Sequence, residues 1–369
     1  MSDPRVEKLA GLLVNYSVGV QKGQKVAIQG NALAEPLMKA TYANVLQAGG
    51  HPLVLAALPG LDELFFRHAS DEQIQYIHGP VRMVTESYDA IISFWASDNT
   101  KAMSNVPPSK LVLQQKAGGE LFKTFMQRSA RGELAWVGTL FPTRAHAQDA
   151  QMGLAEYEDF VYGACLPEPD DPIGYWKRFS AWKERIVSWL KGKKVVRVTG
   201  PDTDLRLRID GRPFINCDGK KNMPDGEVFT GPVEDSMEGH VRYTYPASYR
   251  GREVADVRLW FEKGRVVKAT ASRNEQFLLD TIDADEGARR VGEFAIGTNR
   301  GVTRFTGNTL FDEKISGTFH MALGASIPES GGKNLSAVHW DMVCDLRAGG
   351  EIRVDGELLH KDGKFVIDF

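Results

Sequence analysis

Cysteine is scarce in this chain: three among 369 residues, Cys165, Cys217 and Cys344, with no CxxC pair. That spacing builds neither a disulfide framework nor a cysteine zinc site, and it fits small buried side chains in a reducing compartment. Long apolar runs are missing too. No stretch approaches the roughly 18 residues that span a bilayer, and the charged start MSDPRVEKLAGLLVNYSVGV opens an amphipathic pattern rather than a leader, so the expected location is cytoplasmic, without a membrane partner. Two N-x-S sequons, at Asn15 and Asn334, carry no meaning without a secretory signal. Nor does one sign of charge dominate. Lys plus Arg total 45 against 48 Asp plus Glu, a net charge of -3 without a basic run, which excludes the usual grip on nucleic acid. The first half also lacks GxGxxG and GxxxxGK[ST], and with them the phosphate cradle of nucleotide-binding α/β proteins.

What is present is ordinary globular material, 42% hydrophobic and 25% charged, in a chain too long for one core. Two domains are expected, residues 1–168 and 169–369. In the first, Asp3-Pro4 caps a helix carrying Val6, Leu9 and Leu13. The runs KVAIQG, PLVLAAL, DAIISFWA and ELAWVGTLF alternate with helical stretches, the pattern of a mostly parallel α/β layer. CLPEPDDP reads as a linker before a helix capped by Asp171, whose Ile173, Trp176, Phe179, Ile186 and Trp189 form an apolar stripe. Beyond Lys193 the texture turns to strands, with Asp-Gly hairpin turns at 355 and 362 and one long helical segment, NEQFLLDTIDADEGARR. The second domain is therefore expected to be α+β with a mainly antiparallel sheet.

Several of these strands share an oddity. In SAVHWDMVCD, period-two alternation puts Val338, Trp340, Met342 and Cys344 on one face and His339 with Asp341 on the other. VGEFAIG sets Glu293 beside Ala295 and Gly297, opposite Phe294 and Ile296. TFHMALGA sets His320 beside Ala322 and Gly324, opposite Phe319, Met321 and Leu323, and GEVFT opens with Glu227. A lone strand Glu or His is usually solvated or structural. Two glutamates, two histidines and one aspartate, each backed by apolar side chains and flanked by small ones, are instead an inventory of oxygen and imidazole metal ligands. They are too many for one tetrahedral catalytic ion and suit two ions sharing a carboxylate, the arrangement of a dinuclear hydrolase.

The runs NMPDGEVFTGPVEDSMEGHVRY, GEFAIGTNRGVTRFTGNTLFDEKISGTFHMALGA and ESGGKNLSAVHWDMV, with the opening YSVGVQKGQKVAIQG, resemble the aminopeptidase T family of dinuclear metallo-aminopeptidases over nearly the whole chain. The resemblance implies a cytoplasmic homodimer that removes N-terminal residues from short peptides, with the metal site in the C-terminal domain. It places the ligands at Glu227, Glu293, His320, His339 and Asp341, around two divalent ions (zinc, cobalt, manganese or magnesium). Glu227, which begins a strand next to a turn, is expected to be the catalytic base ahead of Glu293. One position departs: the family's tyrosine seven residues beyond the first histidine is Ile327, which cannot donate to an oxyanion. Two alternatives stay open. His320, His339 and Asp341 alone fit the triad of non-haem iron(II) oxygenases, and the loss of the tyrosine fits a weakly active metal- and peptide-binding protein. His51, His68, His78 and His146 have no second ligand at metal spacing. Glu234, Asp235 and Glu238 form an acidic turn able to attract an ammonium group, with a solvated loop the plainer reading, and Asp312-Glu313 lies close enough before His320 to support a ligand.

Overall fold

A computed structural model describes residues 3–368, so Met1, Ser2 and Phe369, the outermost residues of the two expected domains, lie outside it. The chain forms two compact units, one of residues 1–175 with 219–224, the other of 176–218 with 225–369.

The first unit is built on a five-stranded sheet in the order His51–Ala57, Lys25–Asn31, Ala90–Trp95, Ala135–Leu140, Asn222–Met223. Every pairing is parallel. Parallel strands need crossover connections, and helices such as Glu35–Gln47 and Pro108–Ala130 supply them. The central strands bury Val26, Ala27, Ile28, Ile91 and Ile92, which is why they read as unbroken apolar runs. The Pro4–Leu12 helix starts as expected, with the Asp3 carboxylate accepting from the Arg5 N–H at 2.9 Å. The fifth strand is the surprise, because Asn222–Met223 arrives from about 80 residues further along the chain to pair with Gly138 and Thr139. His51, His68 and His78 are exposed here, and His146 sits with Nδ1 3.0 Å from the Thr143 hydroxyl.

The second unit has two larger antiparallel sheets. Eight strands run in the order Arg265–Thr270, Arg258–Glu262, Glu238–Arg242, Thr203–Arg208, Val195–Gly200, Glu351–Val354, Glu357–Lys361, Lys364–Phe365. Five more run His339–Asp345, Thr318–Gly324, Val291–Gly297, Glu227–Thr230, Ile215–Cys217. Val196, Val198, Leu205, Leu207 and Leu259 of the first meet Phe294, Ile296, Phe319, Met321, Trp340 and Met342 of the second in one buried core. Each such side chain contributes about 1.5–3 kcal/mol by leaving water. The Asp355-Gly356 and Asp362-Gly363 turns hold positive φ at both residues, the backbone a tight hairpin demands.

Two expectations need correction in this unit. The segment 274–290 is one helix only over Glu275–Ile282, followed by a 3-10 turn at Gly287–Arg289. It breaks because Asp285 turns its carboxylate onto the Ala288 and Ala337 N–H groups and the Ser336 hydroxyl instead of continuing the helix. In the Pro172–Leu190 helix the buried face includes Lys183 beside Trp176 and Ile186. Its ammonium donates to the Cys217 carbonyl and lies 4.5 Å over the Phe179 ring, so the stripe is not purely apolar. Among the described residues no helix is long and apolar enough to cross a membrane.

Candidate metal centre

The five-stranded antiparallel sheet turns its apolar side chains into the core and leaves a polar opposite face. Glu293, Ala322 and Asp341 form one cross-strand row. His320 lies in the next row, between Ala295 and Val343, and Glu227 pairs with Gly297 one step further. The alanines and glycines keep this face open. Two of the glycines are obligatory: a Cβ on Gly297 would stand 2.2 Å from the Ile315 carbonyl oxygen, and one on Gly324, held at φ +100°, would stand 2.1 Å from that of Val338.

The five side chains singled out from sequence converge here. His320 Nε2 lies 3.3 Å from Glu227 Oε2 and 3.6 Å from Glu293 Oε1. His339 Nε2 lies 3.5 Å from Glu293 Oε2 and 3.6 Å from Asp341 Oδ2. Its other ring nitrogen, Nδ1, meets the Ala325 carbonyl at 2.9 Å, which orients the ring with Nε2 toward the carboxylates. Two ligand triplets result, Glu227–Glu293–His320 and Glu293–His339–Asp341, with donor atoms within 4.8 Å of one another in each.

These residues fit divalent ions. Both ring nitrogens of His320 and Oε2 of Glu227 are buried without a hydrogen-bond partner, and such orphaned donors and acceptors are costly unless something binds them. Oxygen and imidazole donors suit zinc, manganese or cobalt. Electrostatics agrees with a site short of positive charge. Burial pushes the Glu227 carboxyl up to about 8 and that of Asp341 to about 6. Burial opposes protonation of His320, but the Glu293 and Glu227 carboxylates outweigh it and lift the ring to about 9.

Sequence reasoning gave two residues too small a part. Glu313, on the turn after the short Thr309–Asp312 helix, brings a carboxylate within 4.8 Å of donor atoms of His320 and Asp341. Lys314 beside it is fully buried, with Nζ 3.6 Å from Glu227 Oε1 and donating to Glu313 Oε1. Both lie outside any strand, in the mixed polar stretch LFDEKISG, where alternation gives no signal. Asp312, by contrast, accepts from the Thr306 N–H and hydroxyl, at 2.7 and 2.9 Å. In the acidic turn, Glu234 is held by Arg212 at 2.6 Å and by the Lys333 N–H at 2.6 Å, and Glu238 accepts from the Lys263 N–H at 2.9 Å, so both brace loops.

The chain resembles aminopeptidase 2 of Geobacillus stearothermophilus, 27% identical over 98% of this chain and 95% of that protein. Among solved structures, wild-type AmpT from Thermus thermophilus shares the fold with a TM-score of 0.86 at 23% identity, covering 99% of both chains. A 2,5-dihydroxypyridine dioxygenase from Pseudomonas putida KT2440 shares it more distantly, with a TM-score of 0.63 at 15% identity over 100% of this chain and 99% of that one. Residues 2–365 match the model of the thermophilic metalloprotease (M29) family, and the chain belongs to that family.

Proposed function

We propose that this protein is a metal-dependent aminopeptidase that releases single N-terminal residues from short peptides at a two-ion site held by Glu227, Glu293, His320, His339 and Asp341. The observation that carries this reading is Glu293, whose two oxygens face different histidines, Oε1 toward His320 and Oε2 toward His339, as a carboxylate shared between two ions does. Family membership supports the metallopeptidase chemistry, and the aminopeptidase names of its relatives support cleavage from the N-terminus. Ions bound there supply an acidified water and polarise the scissile carbonyl. The chain's own side chains hold the geometry and move the proton. Chelator-stripped protein reloaded with zinc, manganese, cobalt or magnesium is expected to hydrolyse leucine anilide and to spare N-acetylated peptides. Failure with every metal would overturn the assignment.

The oxygenase alternative has one observation in its favour, the shared fold of the dioxygenase. Against it, no ligand group among the described residues brings both histidines onto one ion position.

For the base, both oxygens of Glu227 face cationic or imidazole partners, Oε1 toward Lys314 and Oε2 toward His320. Its place in the Glu227–Glu293–His320 group supports the role of a ligand. Glu313 reaches the same space from outside the strands, and we assign it the proton transfer in place of Glu227. Glu313→Gln is expected to retain its metal while losing about 100- to 10,000-fold in kcat, whereas Glu227→Gln loses metal and turnover together. The opposite pattern, read by metal analysis beside kinetics, would return the role to Glu227.

Ile327 stands half-buried at the start of the 3-10 turn Pro328–Ser330. Restoring a phenol by Ile327→Tyr is expected to raise turnover with unchanged metal stoichiometry, because a donor to the developing oxyanion acts on the transition state alone. A slower and less stable protein would instead mark overpacking, at about 1–3 kcal/mol. The assembly is a symmetric dimer in this reading. Light scattering on the active protein is expected to give twice the chain mass, and an active monomer would refute it.

A further inference from the structure

The two ligand triplets differ in their surroundings. Next to Glu227–Glu293–His320 stands Lys314, fully buried, its ammonium donating to Glu313 and 3.6 Å from the Glu227 oxygen that does not face His320. No solvent screens this cation. Next to Glu293–His339–Asp341 there is no counterpart: among the described residues, the ion pairs of Glu293 and Asp341 are with the histidines alone. One triplet therefore begins with a carboxylate already partly neutralised by a fixed ammonium, and the other with carboxylates that face imidazoles alone.

We propose that Lys314 is a permanent cation built into the carboxylate cage, which makes the two ion positions unequal: the Glu293–His339–Asp341 position fills first and tightly, and the Glu227–Glu293–His320 position fills second and exchangeably. This rests on the two-ion reading above. The physical cause is direct. A divalent ion approaching Glu227 meets a like charge held within a few ångströms of its ligand in a site with little water, and such repulsion outweighs what the same pair would feel in solvent. Glu227 also donates less, since one of its oxygens faces the ammonium. Lys314 acts through Glu227 and Glu313 as a positioning residue. Its consequence is that peptidase activity tracks the free concentration of metal, because the second ion is the one that comes and goes.

Calorimetric titration of chelator-stripped protein with Mn²⁺ tests this without any activity readout. Wild type is expected to show two steps, the second weaker by about tenfold or more. Lys314→Met, which keeps the chain length and removes the charge, should tighten the second step by about tenfold or more and leave the first within about threefold. A second step unchanged or weakened in Lys314→Met overturns the inference and leaves the two-ion reading standing. A single ion in both proteins overturns the two-ion reading itself. Should Lys314→Met fail to fold, the order of filling is read from the ligands: His339→Ala should erase the tight step and Glu227→Gln only the weak one, and the reverse assignment contradicts the proposal.

Discussion

Asp341→Ala is expected to reduce peptidase activity to background and to weaken binding at the His339 position by more than about 100-fold, beyond the 10- to 100-fold that even an indirect supporting partner is worth. Asp341 stands on the strand that also carries His339, and its Oδ2 lies 3.6 Å from the Nε2 of that ring. Removing it leaves Glu293 to hold that ion with one imidazole. Stability should move the other way. In the ion-free chain the crowded, buried carboxylate is a burden, pushed by burial to about 6, so metal-free Asp341→Ala is expected to melt no lower than metal-free wild type. With saturating metal the order reverses, because wild type gains the full linkage stabilisation at the His339 position, about 2.7 kcal/mol at 100 times Kd, where the weakened variant gains little. Melting curves with and without metal, alongside anilide turnover, check both halves, and a fully active Asp341→Ala protein would remove the residue from the site.

The second large effect is expected from Trp340→Ala, one position away on the opposite face. Trp340 is 1% exposed, stacks on Tyr249 with ring centroids 5.2 Å apart, and meets Phe277 at 6.0 Å. Truncation removes a large aromatic from a close-packed core and should cost about 3–5 kcal/mol, visible as a lower denaturation midpoint with an unchanged m-value. Because His339 and Asp341 flank it on the same strand, looser seating should also weaken metal binding, although Trp340 touches no ligand position. Trp340→Phe should recover most of both losses. A Trp340→Ala protein of wild-type stability would mean that this face does not anchor the strand.

These two expectations show what was readable beforehand. The ligand faces could be read because a strand alternates strictly, so Phe294 and Ile296, or Phe319 and Met321, declare where the core lies and leave Glu293 and His320 to the other side. The alternation of strands and helices in the first half likewise announced a parallel sheet. Residues outside that periodicity stayed obscure. Glu313 and Lys314 sit on a turn whose direction is set by the close approach of the Ile315 carbonyl to Gly297, a contact between segments that no local pattern reports. Lys183 interrupts the buried apolar face of its helix, and only the Cys217 carbonyl and the Phe179 ring explain why it can be buried. The return of Asn222–Met223 to the first unit's sheet was invisible for a similar reason, since two residues carry no period at all.

The claim at the centre of this account is that Glu293 is shared between two ions. Electron paramagnetic resonance of stripped protein loaded with two equivalents of Mn²⁺ tests it most directly. Ions bridged by a carboxylate at about 3.5–4 Å are predicted to give the spectrum of an exchange-coupled pair, and Glu293→Ala should abolish the coupling. The signal of isolated Mn²⁺ at every loading of the wild-type protein would contradict it.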